Sequence, residues 1–194
     1  MNDLISKVYY FNYALIIIWV ITEFISNIKQ NKKNNNSEKK DMGSTLIMFG
    51  ATFISFLGGL HFAFSKIGFM ESLFPFTSIA GIIFIISGII LRYISIKILE
   101  KQFTYSVKIV EDHKLIISGV YKYIRHPSYS GYLLIFLGIG MSYCNWLSII
   151  CFFIPNLISI IYRIFIEEKA LTSHFGDQYT EYKGKVKSLI PWII

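Results

Sequence analysis

Charge is scarce in this chain. Of its 194 residues, 16% are charged and 54% hydrophobic, whereas soluble domains carry about 25% charge and shorter apolar runs. Only two cysteines occur, Cys144 and Cys151, which leaves no disulfide framework and no C-x-x-C pair. Both fall in or beside an apolar hairpin, where a thiol stays protonated and packs; at helical spacing they are expected to share one face. The histidines, His61, His113, His126 and His174, show no H-x-x-x-H spacing, so no metal site is expected. No G-x-G-x-x-G follows a strand, which excludes the usual soluble dinucleotide architecture.

Long apolar stretches are abundant instead: Val8–Thr22, Thr45–Phe64, Leu73–Leu91, Leu133–Tyr143 and Leu147–Tyr162. A spanning helix needs about 20 apolar residues, with tilt and tolerated ends widening that range. The last two runs are shorter, and Cys144-Asn145-Trp146 between them reads as a tight turn, so they predict a helical hairpin. The first run has no small-residue cleavage site and further spans follow it; it is read as a membrane helix, not a signal peptide. The expected fold class is all-α, a polytopic integral membrane protein with about five transmembrane helices in the lipid bilayer.

The net charge of +7 is placed in blocks. Lys29, Lys32, Lys33, Lys39 and Lys40 follow the first run. Lys97, Lys101, Lys108, Lys114, Lys122 and Arg125 follow the third, and Arg163, Lys169, Lys183, Lys185 and Lys187 cluster after the fifth. The positive-inside rule then puts the N-terminus outside and these segments inside. No stretch interleaves basic and aromatic residues in a soluble module, so nucleic acid is not an expected partner. Glu23 and Arg92, near the cytosolic ends of their runs, are expected to snorkel.

Polar residues concentrate in two places beside apolar runs, where unpartnered charge is costly and marks a candidate site. Gly119–Gly131 reads G-V-Y-x-x-x-R-H-P-x-Y-x-G, and Arg163–Glu168 reads R-x-x-x-E-E. Pro127 fixes its own φ and disfavours helix at His126, so the last span should start just beyond it. The tail has Leu171 and Phe175 on one helical face, Gly176 as a stop, and Tyr179 and Tyr182 on a further amphipathic turn. It carries F-G-x-x-Y-x-x-Y…P over Phe175–Pro191.

These three segments, with His113-Lys-Leu-Ile just upstream, resemble the isoprenylcysteine carboxyl methyltransferases in order and spacing. The R-H-P-x-Y core by itself is shared with membrane phospholipid methyltransferases; the first hundred or so residues match only as apolar spans. The resemblance implies an integral membrane enzyme with residues 1–99 as N-terminal transmembrane helices and 100–194 as the catalytic region. It implies transfer of a methyl group from S-adenosylmethionine to the C-terminal carboxylate of an S-prenylated cysteine on CaaX-type proteins, at the endoplasmic reticulum with the active site cytosolic. The alternative is a related methyltransferase acting on a phospholipid amine or other small lipid.

Roles implied by the resemblance fall on named residues. Arg163 would orient the acceptor carboxylate. Glu167 would hold the donor's amino group or ribose, or else pair with Arg163 at i,i+4. His126, Pro127, Ser128 and Tyr129 would form the donor-binding turn, unless Ser128 merely caps a helix and Tyr129 sits in an aromatic belt. Tyr121 would cover the adenosine, unless it is merely interfacial packing, and His113, Lys114, Leu115 and Ile116 would line it through their backbone. Lys108 stands near a further donor-binding position. Arg125 reads as a phosphate-snorkelling or loop-pinning residue, with a catalytic role as the alternative.

Overall fold

The computed structural model describes residues 2–33, 43–99, 102–103 and 114–191. Lys108 and His113, like most of the Asn/Lys linker, lie outside the described residues. Among the described residues six helices follow one another: α1 (Asn2–Lys33), α2 (Gly43–Ala63), α3 (Phe76–Leu99), α4 (Pro127–Ser142), α5 (Trp146–Phe175) and α6 (Asp177–Lys185), with 3-10 turns at Glu71–Leu73 and Gly119–Lys122. The described residues contain no strand.

Local chemistry sets the helix ends. Pro127 opens α4 at a position where its missing N–H costs nothing. Asn145 caps α5, its Oδ1 accepting from Leu147 N at 3.0 Å and Ser148 N at 3.2 Å. Its amide nitrogen donates to the carbonyls of Phe62 and Ile67, each at 2.8 Å, so one side chain ties the α4–α5 turn to the end of α2. Gly176, at φ 57°, ends α5, a conformation that favours glycine. Cys144 lies in the turn at φ 51°, not on α5. The two cysteines therefore do not share a helical face, because the chain reverses between them.

Small residues bring the helices together. A Cβ on Gly88 of α3 would lie 2.6 Å from the carbonyl oxygen of Gly131 on α4; one on Gly138 would lie 2.5 Å from that of Gly81. The backbones touch there, as in membrane helix pairs built on spaced glycines. On the other side, α2 packs on α5: Gly59 faces the Phe152 ring, with which a Cβ would collide at 2.4 Å. Ser148 Oγ donates to Gly59 O at 2.9 Å, and Asn156 Nδ2 donates to Ser55 Oγ at 2.7 Å. Ile85, Phe136, Ile139, Phe152 and Ile160 fill the centre, with Trp19 of α1 edge-on to Phe136.

The outer surface is apolar. Phe49, Phe53 and Leu57 of α2, Ile79, Ile83 and Ile90 of α3, and Ile154, Ile158, Ile161 and Phe165 of α5 are all exposed. Such continuous stripes are costly in water and natural against lipid. By length and composition α2, α3 and α5 can each cross a membrane. α4 has 16 residues, about 24 Å of helix, short of the roughly 30 Å hydrocarbon layer.

Glu23 and Arg92 do not snorkel independently. Arg92 is buried on α3, and its Nε and Nη2 both donate to the Glu23 carboxylate on α1, the latter at 2.9 Å. A buried guanidinium needs a counter-charge, and the approach of α1 supplies one.

Candidate active site

At one end of the bundle, where α3, α4 and α5 finish or begin, a cleft opens with about 880 Å³ of empty space, its mouth to solvent included. Into it converge Lys114, Leu115, Ile116, Tyr121 and His126 from the connection before α4. Ser128 and Tyr129 come from the first turn of α4, and Arg163 and Glu167 from successive turns of α5. Pro127 is fully buried behind this lining as the first residue of α4.

Tyr129 is the hinge of the polar wall. Its hydroxyl donates to Glu167 Oε2 at 2.7 Å and accepts from Arg163 Nε at 2.8 Å. The tyrosine thus stands between the arginine and the glutamate of α5, and is no mere belt residue. Arg163 is 2% exposed; its Nη1 donates to Ser44 Oγ at 2.9 Å and Thr45 Oγ1 at 3.1 Å in the first turn of α2. Ser128 does not cap α4; its Oγ accepts from Arg92 Nη1 at 2.8 Å. The His126 ring stacks on Tyr129, with centroids 5.6 Å apart.

Behind this wall, Glu168 gathers two cations and an imidazole. Arg125 reaches Oε1 through Nε at 2.9 Å and Nη2 at 2.7 Å, His126 Nε2 lies 3.2 Å from the same oxygen, and Lys183 Nζ lies 2.7 Å from Oε2. Arg125 also donates from Nη1 to the Val186 and Lys183 carbonyls. Its backbone N–H bonds Lys187 O at 2.8 Å, and that of His126 bonds Ser188 O at 3.0 Å. The segment after α6 is therefore strapped along the Arg125–His126 turn. Arg125 pins the loop, one of the readings its sequence position left open, and lines the cleft as well.

The Gln102 amide and a set of aromatic and apolar groups complete the cleft: Leu99, Phe103, Ala170, Leu171, Tyr179 and Tyr182. None of these stood out as site residues in the sequence. The repeat of Leu171 with Phe175 and of Tyr179 with Tyr182 was the available signal, but it predicts packing equally well. Gly119, at φ 60°, starts the turn that presents Tyr121, whose hydroxyl donates to Ser95 O at 3.3 Å. Tyr182 donates to Tyr121 O at 2.5 Å. Burial raises the phenols of Tyr121 and Tyr179 and pushes Tyr182 up to about 12, so all three stay neutral. Among the described residues no cluster of His, Cys, Asp or Glu could hold a metal ion.

Residues 81–173, which carry both polar turns, match the family model described as the isoprenylcysteine carboxyl methyltransferase (ICMT) family. Protein-S-isoprenylcysteine O-methyltransferase B of Arabidopsis thaliana is 41% identical over 115 residues, 58% of this chain and 58% of that protein. Over these residues the chain is similar to the isoprenylcysteine carboxyl methyltransferase family. Protein-S-isoprenylcysteine O-methyltransferase of Schizosaccharomyces pombe is 35% identical over 150 residues, 76% of this chain and 62% of its own length. The chain thus spans about three-fifths of these curated relatives.

A solved structure extends the likeness to the whole fold. The eukaryotic intramembrane Ras methyltransferase ICMT superposes with a TM-score of 0.69 at 24% identity, covering 97% of this chain and 68% of that one. Together with the apolar outer faces, this makes the chain an all-helical integral membrane protein. The family resemblance drawn from the three sequence segments is borne out.

Proposed function

We propose that the protein methylates the C-terminal carboxylate of S-prenylated cysteine on CaaX-type proteins, with S-adenosylmethionine as donor. The observation that carries this reading is the single cleft in which Arg163, Tyr129 and Glu167 meet Ser128 and the Lys114–Ile116 strip at the end of an apolar bundle. Residues 100–194 carry the chemistry under this reading, and 1–99 form the supporting transmembrane part.

The cleft suits the donor. Glu167 and the tyrosines match a cationic amino group and ribose hydroxyls, while Leu115, Ile116, Leu99 and Leu171 match an adenine ring. His126, Ser128, Tyr129 and Tyr121 would complete that side. When bound, S-adenosylmethionine supplies an electrophilic methyl group on a sulfonium cation. The acceptor carboxyl has a reference pKa of roughly 3.5 and is already an anion at neutral pH, so no general base is needed. Arg163 orients that anion by charge-assisted hydrogen bonds, and Tyr129, Ser44 and Thr45 hold its guanidinium in place. The wall shields the carboxylate from water, and rate comes from positioning.

A prenyl chain brings the acceptor to the bilayer, each buried methylene contributing about 0.8 kcal/mol. The site would face the cytosol at the endoplasmic reticulum, where a soluble donor and a lipidated acceptor meet. A phospholipid amine offers no carboxylate at the reacting atom for Arg163 to orient. Membranes containing the protein are incubated with labelled donor and either N-acetyl-S-farnesylcysteine or phosphatidylethanolamine. The expected outcome is a base-labile ester on the former; label on the phospholipid alone would reject the proposal.

A further inference from the structure

We infer that Glu23 is a positioning residue for the donor side of the cleft, acting through Arg92 on Ser128; this rests on the methyltransferase reading above. Glu23 lies on α1, outside residues 81–173 that match the family model. Arg92 commits two N–H arms to the Glu23 carboxylate and its Nη1 to Ser128, at 2.8 Å to Oγ and 3.2 Å to the carbonyl oxygen.

The guanidinium is a rigid planar fork. Once a carboxylate engages Nε and Nη2, the plane is set, and with it the direction in which Nη1 points. Glu23 therefore fixes the aim of Arg92 at Ser128, and the Tyr132 ring, 5.6 Å from the guanidinium carbon, closes its other side. Ser128 lines the cleft and is followed by Tyr129, the residue that joins Arg163 to Glu167. A pair serving only to hold α1 against α3 has no need of an arm on that turn. An apolar pair of similar volume holds buried helices together as well or better.

The full chain is purified in detergent, and S-adenosylhomocysteine binding is measured by calorimetry alongside methyl transfer. Glu23→Gln should raise the donor-site Kd by roughly tenfold, the scale of a lost charge-assisted hydrogen bond, with the acceptor KM changed by less than about twofold. The double variant Glu23→Leu with Arg92→Met separates positioning from stability. Removing both charges should restore the melting temperature and leave the Kd at least about tenfold raised, because Ser128 has lost its donor. Asn12→Ala, which removes a different buried α1 contact, Asn12 to Ser142, should lower stability and leave the Kd unchanged.

A double variant that regains wild-type Kd along with stability overturns the inference. So does a folded Glu23→Gln protein that binds as wild type, or one whose donor Kd and acceptor KM rise together. Should Glu23→Gln fail to fold, the double variant decides. Wild-type protein that binds no S-adenosylhomocysteine refutes the methyltransferase reading and this inference with it.

Discussion

Replacing Glu168 by alanine should release the C-terminal strap from the Arg125–His126 turn. The carboxylate and Arg125 are each 9% exposed at the side chain, and two Arg125 nitrogens meet the same oxygen. Removing one partner of a buried pair costs about 3–5 kcal/mol, because the other charge is left uncompensated. Lys183 is 50% exposed, so its bond adds at most about 1 kcal/mol. Arg125 retains the Val186 and Lys183 carbonyls as acceptors, which favours the lower end, about 3 kcal/mol. That corresponds to roughly a hundredfold larger population of the detached strap. Trypsin reports it directly, since Lys183, Lys185 and Lys187 lie in or beside the strap and cleavage tracks the open population when closing is fast. Wild-type and Glu168→Ala proteins cut at these lysines at equal rates would refute the ion hub as the clasp.

Arg163→Ala should lower acceptor turnover at least about a hundredfold, as expected for a lost charge-assisted contact to the reacting group, while S-adenosylhomocysteine still binds in calorimetry. Tyr129→Phe keeps the ring but removes the hydroxyl between Arg163 and Glu167; kcat/KM should fall by about tenfold. Gly88→Val sets a side chain against the Gly131 carbonyl and should cost about 1–3 kcal/mol, read as a melting temperature lower by several degrees. Asn145→Ala removes the α5 cap and the bonds to Phe62 and Ile67; a loss of about 2 kcal/mol or more is expected in denaturant unfolding.

The helices were legible because bilayer-scale apolar runs leave little choice of structure, and Pro127, Asn145 and Gly176 mark their ends by backbone chemistry. Most of the residues expected at the site also converge, since the two polar turns sit where α4 begins and α5 nears its end. What could not be read was who pairs with whom. Glu23 and Arg92 each looked like an isolated snorkelling charge, because nothing local says that α1 approaches α3 at that height. Nothing in R-x-x-x-E-E separates Glu167 from Glu168, yet one carboxylate faces the cleft while the next gathers Arg125, His126 and Lys183. Ser44 and Thr45 gave no signal, being ordinary first-turn residues until α2 is laid beside Arg163. Such pairings depend on tertiary approach, which hydrophobic periodicity does not encode.

The most direct test offers purified protein and labelled S-adenosylmethionine two acceptors differing in one group: N-acetyl-S-farnesylcysteine with its carboxylate free, and the same compound as its primary amide. The free acid should take up one methyl group as a base-labile ester, and the amide none. Equal labelling of both, or labelling of neither by protein that still binds the donor, would contradict a site built to present a carboxylate.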